Sequence, residues 1–196
     1  GRFTQILATL GAKILVADIS SIQLELNRKY AAHYDFANVV EGWHQLDMCD
    51  LSQFASHSFD AVVAYGGPFS YVLDKRDGAL LESIRMLKPN GILLLSVMSL
   101  WGSAHGGLDN VLALPLEVNQ KIVATGDITP ATFPQRRGNF MHLFRADELL
   151  GWLKKAGLQI LDTSASNSIL LAWNEKLKDI RSESEKWNEL LWMELE

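Results

Sequence analysis

The first half of this sequence alternates amphipathic stretches with short, continuous apolar runs, and this pattern restricts the chain to few architectures. Apolar side chains recur on one helix face over residues 3–10, and the apolar run of residues 14–17 follows them. Runs of this kind are typical of strands buried on both faces of a parallel sheet. Further strand-like runs stand at residues 39–46, 59–64 and 92–97, with helical stripes between them. We therefore predict an α/β fold, with a doubly wound, mainly parallel sheet between two layers of helices.

The second half of the sequence is less regular. Residues 129–138 are polar and rich in turn-forming residues, and a helical stretch over residues 111–123 carries Pro115. A segment this long between regular elements is more often a lid or a binding segment than filler. We expect regular structure to resume with a helix, a strand at residues 158–161 and an amphipathic helical tail from Trp173.

We predict one domain over residues 1–196, whose segments have different tasks. Residues 1–97 form the cofactor-binding core, residues 98–145 a variable lid over the substrate, and residues 146–196 the C-terminal helices and strand. The aromatic side chains of the tail are expected in the core or in a contact between subunits, so a homo-oligomer is a candidate assembly.

Charge, hydropathy and cysteine content narrow the function classes. The 196 residues include 18 Lys and Arg against 23 Asp and Glu, a net charge of -5, which is not the basic surface of a nucleic-acid binder. No apolar run approaches the length of about 20 residues that spans a bilayer, and no secretion signal is visible. The single Cys49 excludes an intrachain disulfide. We therefore expect a cytoplasmic protein without nucleic-acid or membrane partners. The histidines never fall in metal-ligand spacing, so no metal is expected.

Three strand ends carry side chains suited to a nucleoside. In open α/β sheets, ligands bind beyond the carboxyl ends of the strands. Asp18 follows one predicted strand and Asp47 the next, and a Tyr-Gly-Gly turn from Tyr65 follows the third. One carboxylate can accept hydrogen bonds from both ribose hydroxyls, and the second can accept a hydrogen bond from the adenine amine. The Met48 backbone amide can donate a hydrogen bond to a ring nitrogen of the adenine. An Asp at a strand end is as often only a cap for the next helix, and Asp50 is an alternative to Asp47.

These residues lie within motifs that resemble those of class I S-adenosylmethionine-dependent methyltransferases. The likeness covers residues 1 to about 97, and its most specific part is the pair Ser-Phe-Asp-Ala-Val and Leu-Lys-Pro-Asn-Gly at their spacing in this chain. The matching stretches are residues 1–4, 17–20, 46–51, 58–62, 66–71 and 87–91.

The resemblance implies a Rossmann-like fold, S-adenosyl-L-methionine as the cofactor and methyl transfer to a small-molecule acceptor. Gly1 resembles the last glycine of the family's glycine-rich turn, and the strand before that turn and the closing strand are not visible. We therefore expect the fold to be incomplete at both ends. The cofactor-binding residues implied in this way are Gly1, Asp18, Ile19, Asp47, Met48, Ala64, Tyr65 and Gly66.

A base is needed only if the methyl acceptor must lose a proton. The candidate catalytic residues are His142 and Tyr71, and the candidate substrate-binding residues are Arg145 and His105. The alternative for His142 is a buried histidine hydrogen-bonded to the backbone, and the alternative for Arg145 is an ion pair with Asp147 or Glu148.

Two further function classes remain open from the sequence. An NAD(P)-dependent oxidoreductase would use Asp18 equally well, and the Tyr-x-x-x-Lys spacing of Tyr71 and Lys75 would place phenol and ammonium on one helix face, as in short-chain dehydrogenases. A non-catalytic relative of the methyltransferases would keep the fold as a binding module.

Overall fold

The computed structural model describes residues 1–165 and 174–195, and the predicted alternation of helices and strands forms in its first half. These described residues belong to two compact units, Gly1–Ser96 and Val97–Glu196. The elements of the first unit are α1 (Arg2–Thr9), β1 (Ile14–Asp18), α2 (Ser21–His33), β2 (Val40–Gln45), β3 (Phe59–Ala64), α3 (Pro68–Tyr71), α4 (Arg76–Met86) and β4 (Leu87–Leu95).

The strands of the first unit pair two by two and in parallel. β1 pairs with β2 and β3 with β4, and a helix joins the two strands of each pair. Parallel neighbours need such crossovers, because the chain must return to the starting end of the sheet. The α/β class with parallel strands is therefore confirmed. The described strands form separate two-stranded sheets, whereas the sequence predicted one sheet.

Local sequence explains where α2 begins and how it packs. The Ser20 hydroxyl accepts a hydrogen bond from the Gln23 backbone N–H at 3.3 Å, which satisfies one of the free donors of the first helical turn. At the other end of the helix, Ala31 packs with Phe36 and Val40 in a buried apolar cluster. The apolar side of the crossover thus holds the start of β2.

The Lys-Pro-Asn-Gly segment at residues 88–91 lies inside β4 as an irregularity. The pairing jumps from Phe59 opposite Leu87 to Ala61 opposite Ile92, so the extra residues of β4 bulge out of the ladder. Asn90 has a φ of 65°, in the left-handed region that asparagine tolerates. β4 continues beyond this segment, but its pairing with β3 resumes with a shifted register.

The second unit is mainly helical. Its apolar cluster comprises Leu100, Val118, Ile122 and Leu143. Pro115 ends the predicted helix of residues 111–123 and divides it into two. Its elements are α5 (Leu100–Gly106), α6 (Leu108–Leu112), α7 (Leu116–Thr125), β5 (Asp127–Ile128), β6 (Met141–His142), α8 (Ala146–Lys155), α9 (Asn174–Ile180) and α10 (Ser184–Leu195).

Two features of the second unit differ from the sequence prediction. Residues 158–161 were expected to form a strand, but the structure assigns them no regular element. The antiparallel β5–β6 pair was not predicted, because strands of two residues leave no periodic signal. The predicted start of the tail helix at Trp173 lies outside the described residues. Of the helices that the structure describes, none is long and apolar enough to traverse a membrane.

Candidate functional site

The two acidic strand ends stand side by side in the first unit. Asp18 is in register with Gln45, and the Leu46 backbone N–H donates to the Asp18 carbonyl at 3.1 Å. Asp47 therefore lies one residue beyond Leu46, which makes the last backbone hydrogen bond between the two chain segments. Because parallel neighbours lie about 4.8 Å apart, both residues stand at the same edge of this sheet.

The Asp18 carboxylate does two things at once. Its Oδ1 accepts the Ser20 backbone N–H at 2.8 Å, so the residue fixes the turn from β1 into α2, as the capping alternative expected. Among the residues described, Oδ2 has no hydrogen-bond partner, and it remains an acceptor. The next side chain, Ile19, is 68% exposed.

Asp47 and Asp50 form similar turns after β2. Asp47 is exposed, and its Oδ1 accepts the Cys49 backbone N–H at 2.9 Å. Asp50 Oδ1 accepts both the hydroxyl and the backbone N–H of Ser52, at 2.6 Å and 3.2 Å, and these bonds lower the pKa of Asp50. The Cys49 thiol also hydrogen-bonds Asp47, and burial followed by this bond raises the pKa of Cys49. Each of the two carboxylates therefore bonds both a backbone N–H and a side chain of its own turn.

The end of β3 meets the beginning of α1. The rings of Phe3 and Tyr65 lie 4.9 Å apart, centroid to centroid, so the first turn of α1, which Gly1 precedes as N-cap, lies beside the residue after Ala64. The structure thus brings the end of β3 and Gly1, both among the predicted cofactor-binding positions, into one neighbourhood.

Two consecutive glycines follow Tyr65 in left-handed conformations. Gly66 has a φ of 90° and Gly67 a φ of 77°, values that side chains rarely tolerate. A Cβ on Gly66 would meet no atom within 4 Å, so glycine is required here by the backbone and not by close packing. Open space therefore adjoins the turn. The residue after β4, Ser96, accepts the Gly66 N–H at 3.0 Å.

Tyr71 ends α3 with its ring 45% exposed, and its hydroxyl has no hydrogen-bond partner within the described part of the chain. Lys75 does not continue that helix, because α3 stops at Tyr71 and Leu73 takes a left-handed φ of 48°. The shared helix face that a short-chain dehydrogenase would need between phenol and ammonium is therefore not formed.

His142 is buried in the second unit between two carboxylates. Its Nδ1 lies 2.7 Å from Oδ1 of Asp127, and its Nε2 lies 2.8 Å from Oε1 of Glu148. The imidazole is 3% exposed and packs edge-on against Phe144. The alternative of a buried histidine is therefore what forms, although its partners are carboxylates and not backbone groups.

The other two candidates of the second unit are less constrained. The Arg145 guanidinium donates to the Val123 carbonyl, whereas the Arg145 backbone N–H donates to Glu148 Oε2 at 3.4 Å. His105 is exposed in the last turn of α5. Over residues 1–165 and 174–195, no cluster of three His, Cys, Asp or Glu side chains has the arrangement of a metal site.

The sequence pointed to the strand-end acids but not to Ser96 or Asp127, and it named Glu148 only as a candidate partner of Arg145. Ser96 comes after the most apolar strand of the chain, a position that is informative once the strand is assigned. Asp127 and Glu148 could not be identified, because their meeting at His142 depends on a hairpin whose strands are two residues each.

Comparison with known proteins gives a family for the first unit. Residues 1–95 match the family described as "Methyltransferase domain". Among solved structures, the chain is similar to the MccD protein, with 25% identity over 46% of this chain and 39% of that chain, and a TM-score of 0.39. The chain therefore spans well under half of that protein's length. No curated protein matches the sequence.

Proposed function

Over residues 1–95 this chain belongs to the methyltransferase domain family, and we propose that it transfers the methyl group of S-adenosyl-L-methionine to a small-molecule acceptor. The family match supports a Rossmann-like fold and methyl transfer in general. The small-molecule acceptor is proposed because the net charge of -5 is unfavourable for binding a nucleic-acid backbone. We further propose that the protein acts in the cytoplasm.

The chemistry of the strand ends fits the adenosyl part of this cofactor. Asp18 Oδ2 is an acceptor for the ribose hydroxyls, and the bond from Ser20 to Oδ1 holds the carboxylate in place for that task. The exposed Ile19 side chain offers an apolar surface to the adenine ring. Asp47, with the Met48 backbone amide, serves the polar edge of the adenine.

The end of β3 serves the methionyl part. Ala64 and Tyr65 line it, and the open space beside Gly66 allows the backbone to approach the sulfonium closely. Gly1, at the start of α1, borders the same neighbourhood through the contact of Phe3 with Tyr65. When bound, the cofactor supplies a methyl group already activated by positive sulfur.

The chain's own task is alignment and exclusion of water, because an in-line displacement at an activated carbon needs little chemical catalysis. For an acceptor that must lose a proton, we propose Tyr71 and His142 as the catalytic groups, with Arg145 and His105 binding the substrate. The exposed Tyr71 hydroxyl can accept a substrate hydrogen bond directly. His142 can do so only after one of its carboxylate partners moves away.

One observation carries this proposal: Asp18 and Asp47 lie at adjacent carboxyl ends of two paired parallel strands. Titration calorimetry of the full chain with S-adenosylhomocysteine and, in parallel, with NAD tests it. We expect binding of S-adenosylhomocysteine alone. Binding of NAD alone would identify an oxidoreductase, and binding of neither would identify a non-catalytic relative.

A further inference from the structure

The residue that follows β4 faces the turn that follows β3. The last pair of the β3–β4 ladder is Ala64 opposite Leu95, so Ser96 and Tyr65 leave the sheet together at its carboxyl edge. This places Ser96 beside the Tyr-Gly-Gly turn, although some thirty residues separate the two in the sequence.

Ser96 makes two hydrogen bonds that bracket Tyr65. Its backbone N–H donates to the Ala64 carbonyl at 3.1 Å, and its hydroxyl oxygen accepts the Gly66 backbone N–H at 3.0 Å. The first bond extends the ladder by one step, as any residue could do at this position. The second needs the serine side chain.

Gly66 depends on this restraint, because the other hydrogen bond of the turn, from the Ser70 backbone N–H to the Gly67 carbonyl at 2.9 Å, holds only Gly67. Gly66 and Gly67 have the widest conformational freedom of any residue type, and both take left-handed φ values here. No atom lies within 4 Å of a Cβ placed on Gly66, so packing does not fix the turn on that side. The Ser96 hydroxyl therefore selects the peptide orientation at Gly66.

We propose that Ser96 is a positioning residue for the methionyl end of the cofactor. By holding the Gly66 amide, its hydroxyl keeps the turn open beside the strand end, where the amino acid part of S-adenosylmethionine is to lie. This inference rests on the proposed function. It assigns Ser96 no contact with the adenosine part, which the β1 and β2 ends serve.

The test compares two ligands that differ only at the methionyl end. S-adenosylhomocysteine carries the amino acid part, and 5′-methylthioadenosine replaces it with a methyl group. In calorimetric titration of the full chain, Ser96→Ala is expected to weaken S-adenosylhomocysteine binding by about three- to tenfold. The reason is that the variant loses the hydrogen bond that orders the Gly66 turn before the ligand binds. Binding of 5′-methylthioadenosine is expected to stay unchanged, and Ser96→Thr, which keeps the hydroxyl, is expected to retain wild-type affinity for both.

The matched control is Ser58→Ala. The Ser58 hydroxyl donates to the Ala55 carbonyl at 2.7 Å in an exposed turn of the same unit, at the amino end of β3 and therefore away from the carboxyl ends of the strands. This variant also loses one serine hydrogen bond, and it is expected to bind both ligands as the wild type does. Amide hydrogen exchange measured by NMR adds a readout without ligand, in which Gly66 exchanges faster in Ser96→Ala than in wild type or Ser96→Thr.

Three results would overturn the inference: equal weakening for both ligands, unchanged affinity in Ser96→Ala, or a Ser96→Thr variant that behaves like Ser96→Ala. The proposed function is separated from it by Asp18→Ala. If Asp18→Ala weakens both ligands while Ser96→Ala weakens neither, only the role of Ser96 is wrong. If the wild type binds neither ligand, both proposals are wrong.

Discussion

Among the single residues of the first unit, Asp18 has carboxylate oxygens with different roles. The Asp18 carboxylate fixes a turn with one oxygen and leaves the other as an acceptor, so the residue is oriented before any ligand arrives. Preorganisation of this kind spares a ligand the cost of ordering the side chain. The same principle explains why an Asp that caps its own turn is still a strong candidate for ribose binding.

We predict that Asp18→Ala weakens S-adenosylhomocysteine binding by about 1–3 kcal/mol, because two hydrogen bonds to a charged acceptor are lost. Asp47→Ala should weaken it less, since Asp47 is exposed. Asp50→Ala is the matched control, because both of the Asp50 bonds go to Ser52. Calorimetric titration checks all three, and a larger loss in Asp50→Ala than in Asp47→Ala would exchange their roles.

We predict that His142→Ala lowers the free energy of unfolding by about 2–3 kcal/mol, because a buried ring is removed and two carboxylates lose their hydrogen-bonding partner. The side chains of Asp127 and Glu148 are 41% and 32% exposed. Water can therefore solvate these carboxylates once His142 is gone, which reduces the loss of stability. Urea denaturation measures the change. His105→Ala, at an exposed site, should change stability by less than about 0.5 kcal/mol. Equal effects of the two variants would show that the carboxylates do not depend on His142.

Among the secondary-structure elements, the bulge in β4 contains a position, Gly91, where nearby backbone atoms leave room only for glycine. A Cβ on Gly91 would lie 2.9 Å from the Lys88 carbonyl oxygen and 3.1 Å from that of Asp60, and neither atom belongs to a flexible side chain. Across the same bulge, Lys88 Nζ contacts both carboxylate oxygens of Asp60, at 2.8 and 2.9 Å. The ion pair and the glycine together hold β3 and β4 in register past the irregularity.

We predict that Gly91→Ala destabilises the chain by about 1–3 kcal/mol, because the backbone must shift to admit the methyl group. Gly78→Ala supplies the opposite control. Gly78 lies in α4, where a Cβ would meet nothing within 4 Å, so this change should stabilise the chain by about 0.5–1 kcal/mol. Thermal unfolding distinguishes the two signs, and a stabilising Gly91→Ala would contradict the close approach.

Element boundaries in the first unit follow from the sequence, whereas long-range side-chain partners do not. The apolar run that ends at Asp18 carries a local signal, and the strand is found where predicted. Ser96 meets Gly66 only because β3 and β4 are adjacent, and that adjacency is a property of strand pairing. The strand expected at residues 158–161 had an apolar pattern but no partner strand in the described structure.

For the whole molecule, the dependence of stability on pH involves two carboxylates of the first unit that are paired with basic side chains. Hydrogen bonds from Arg85 lower the pKa of Glu82, and the Lys88 ammonium lowers that of Asp60. Arg85 also donates to the carbonyls of Phe54 and Leu51, so this side chain ties the loop before β3 to α4. These contacts connect parts of the unit that are distant in the sequence.

We predict that the thermal unfolding midpoint falls as the pH drops below the ordinary carboxyl values of 4.5 for Glu82 and 3.8 for Asp60. A carboxyl whose pKa is lowered by folding stabilises the folded state above its ordinary pKa and loses this contribution as protons bind. Lys88→Met and Arg85→Met should each make the midpoint less sensitive to acid. A wild-type midpoint that is constant from pH 6 to pH 3, a range of about three units, would contradict the linkage.

We expect an adenosyl ligand to bind at the carboxyl ends of β1, β2 and β3. The most direct test is the structure of the full chain bound to S-adenosylhomocysteine, determined by crystallography. We predict ribose hydroxyls within hydrogen-bonding distance of Asp18 Oδ2, adenine beside Ile19 and Asp47, and the sulfur next to Gly66. A ligand bound elsewhere, or with its ribose turned away from Asp18, would contradict the account.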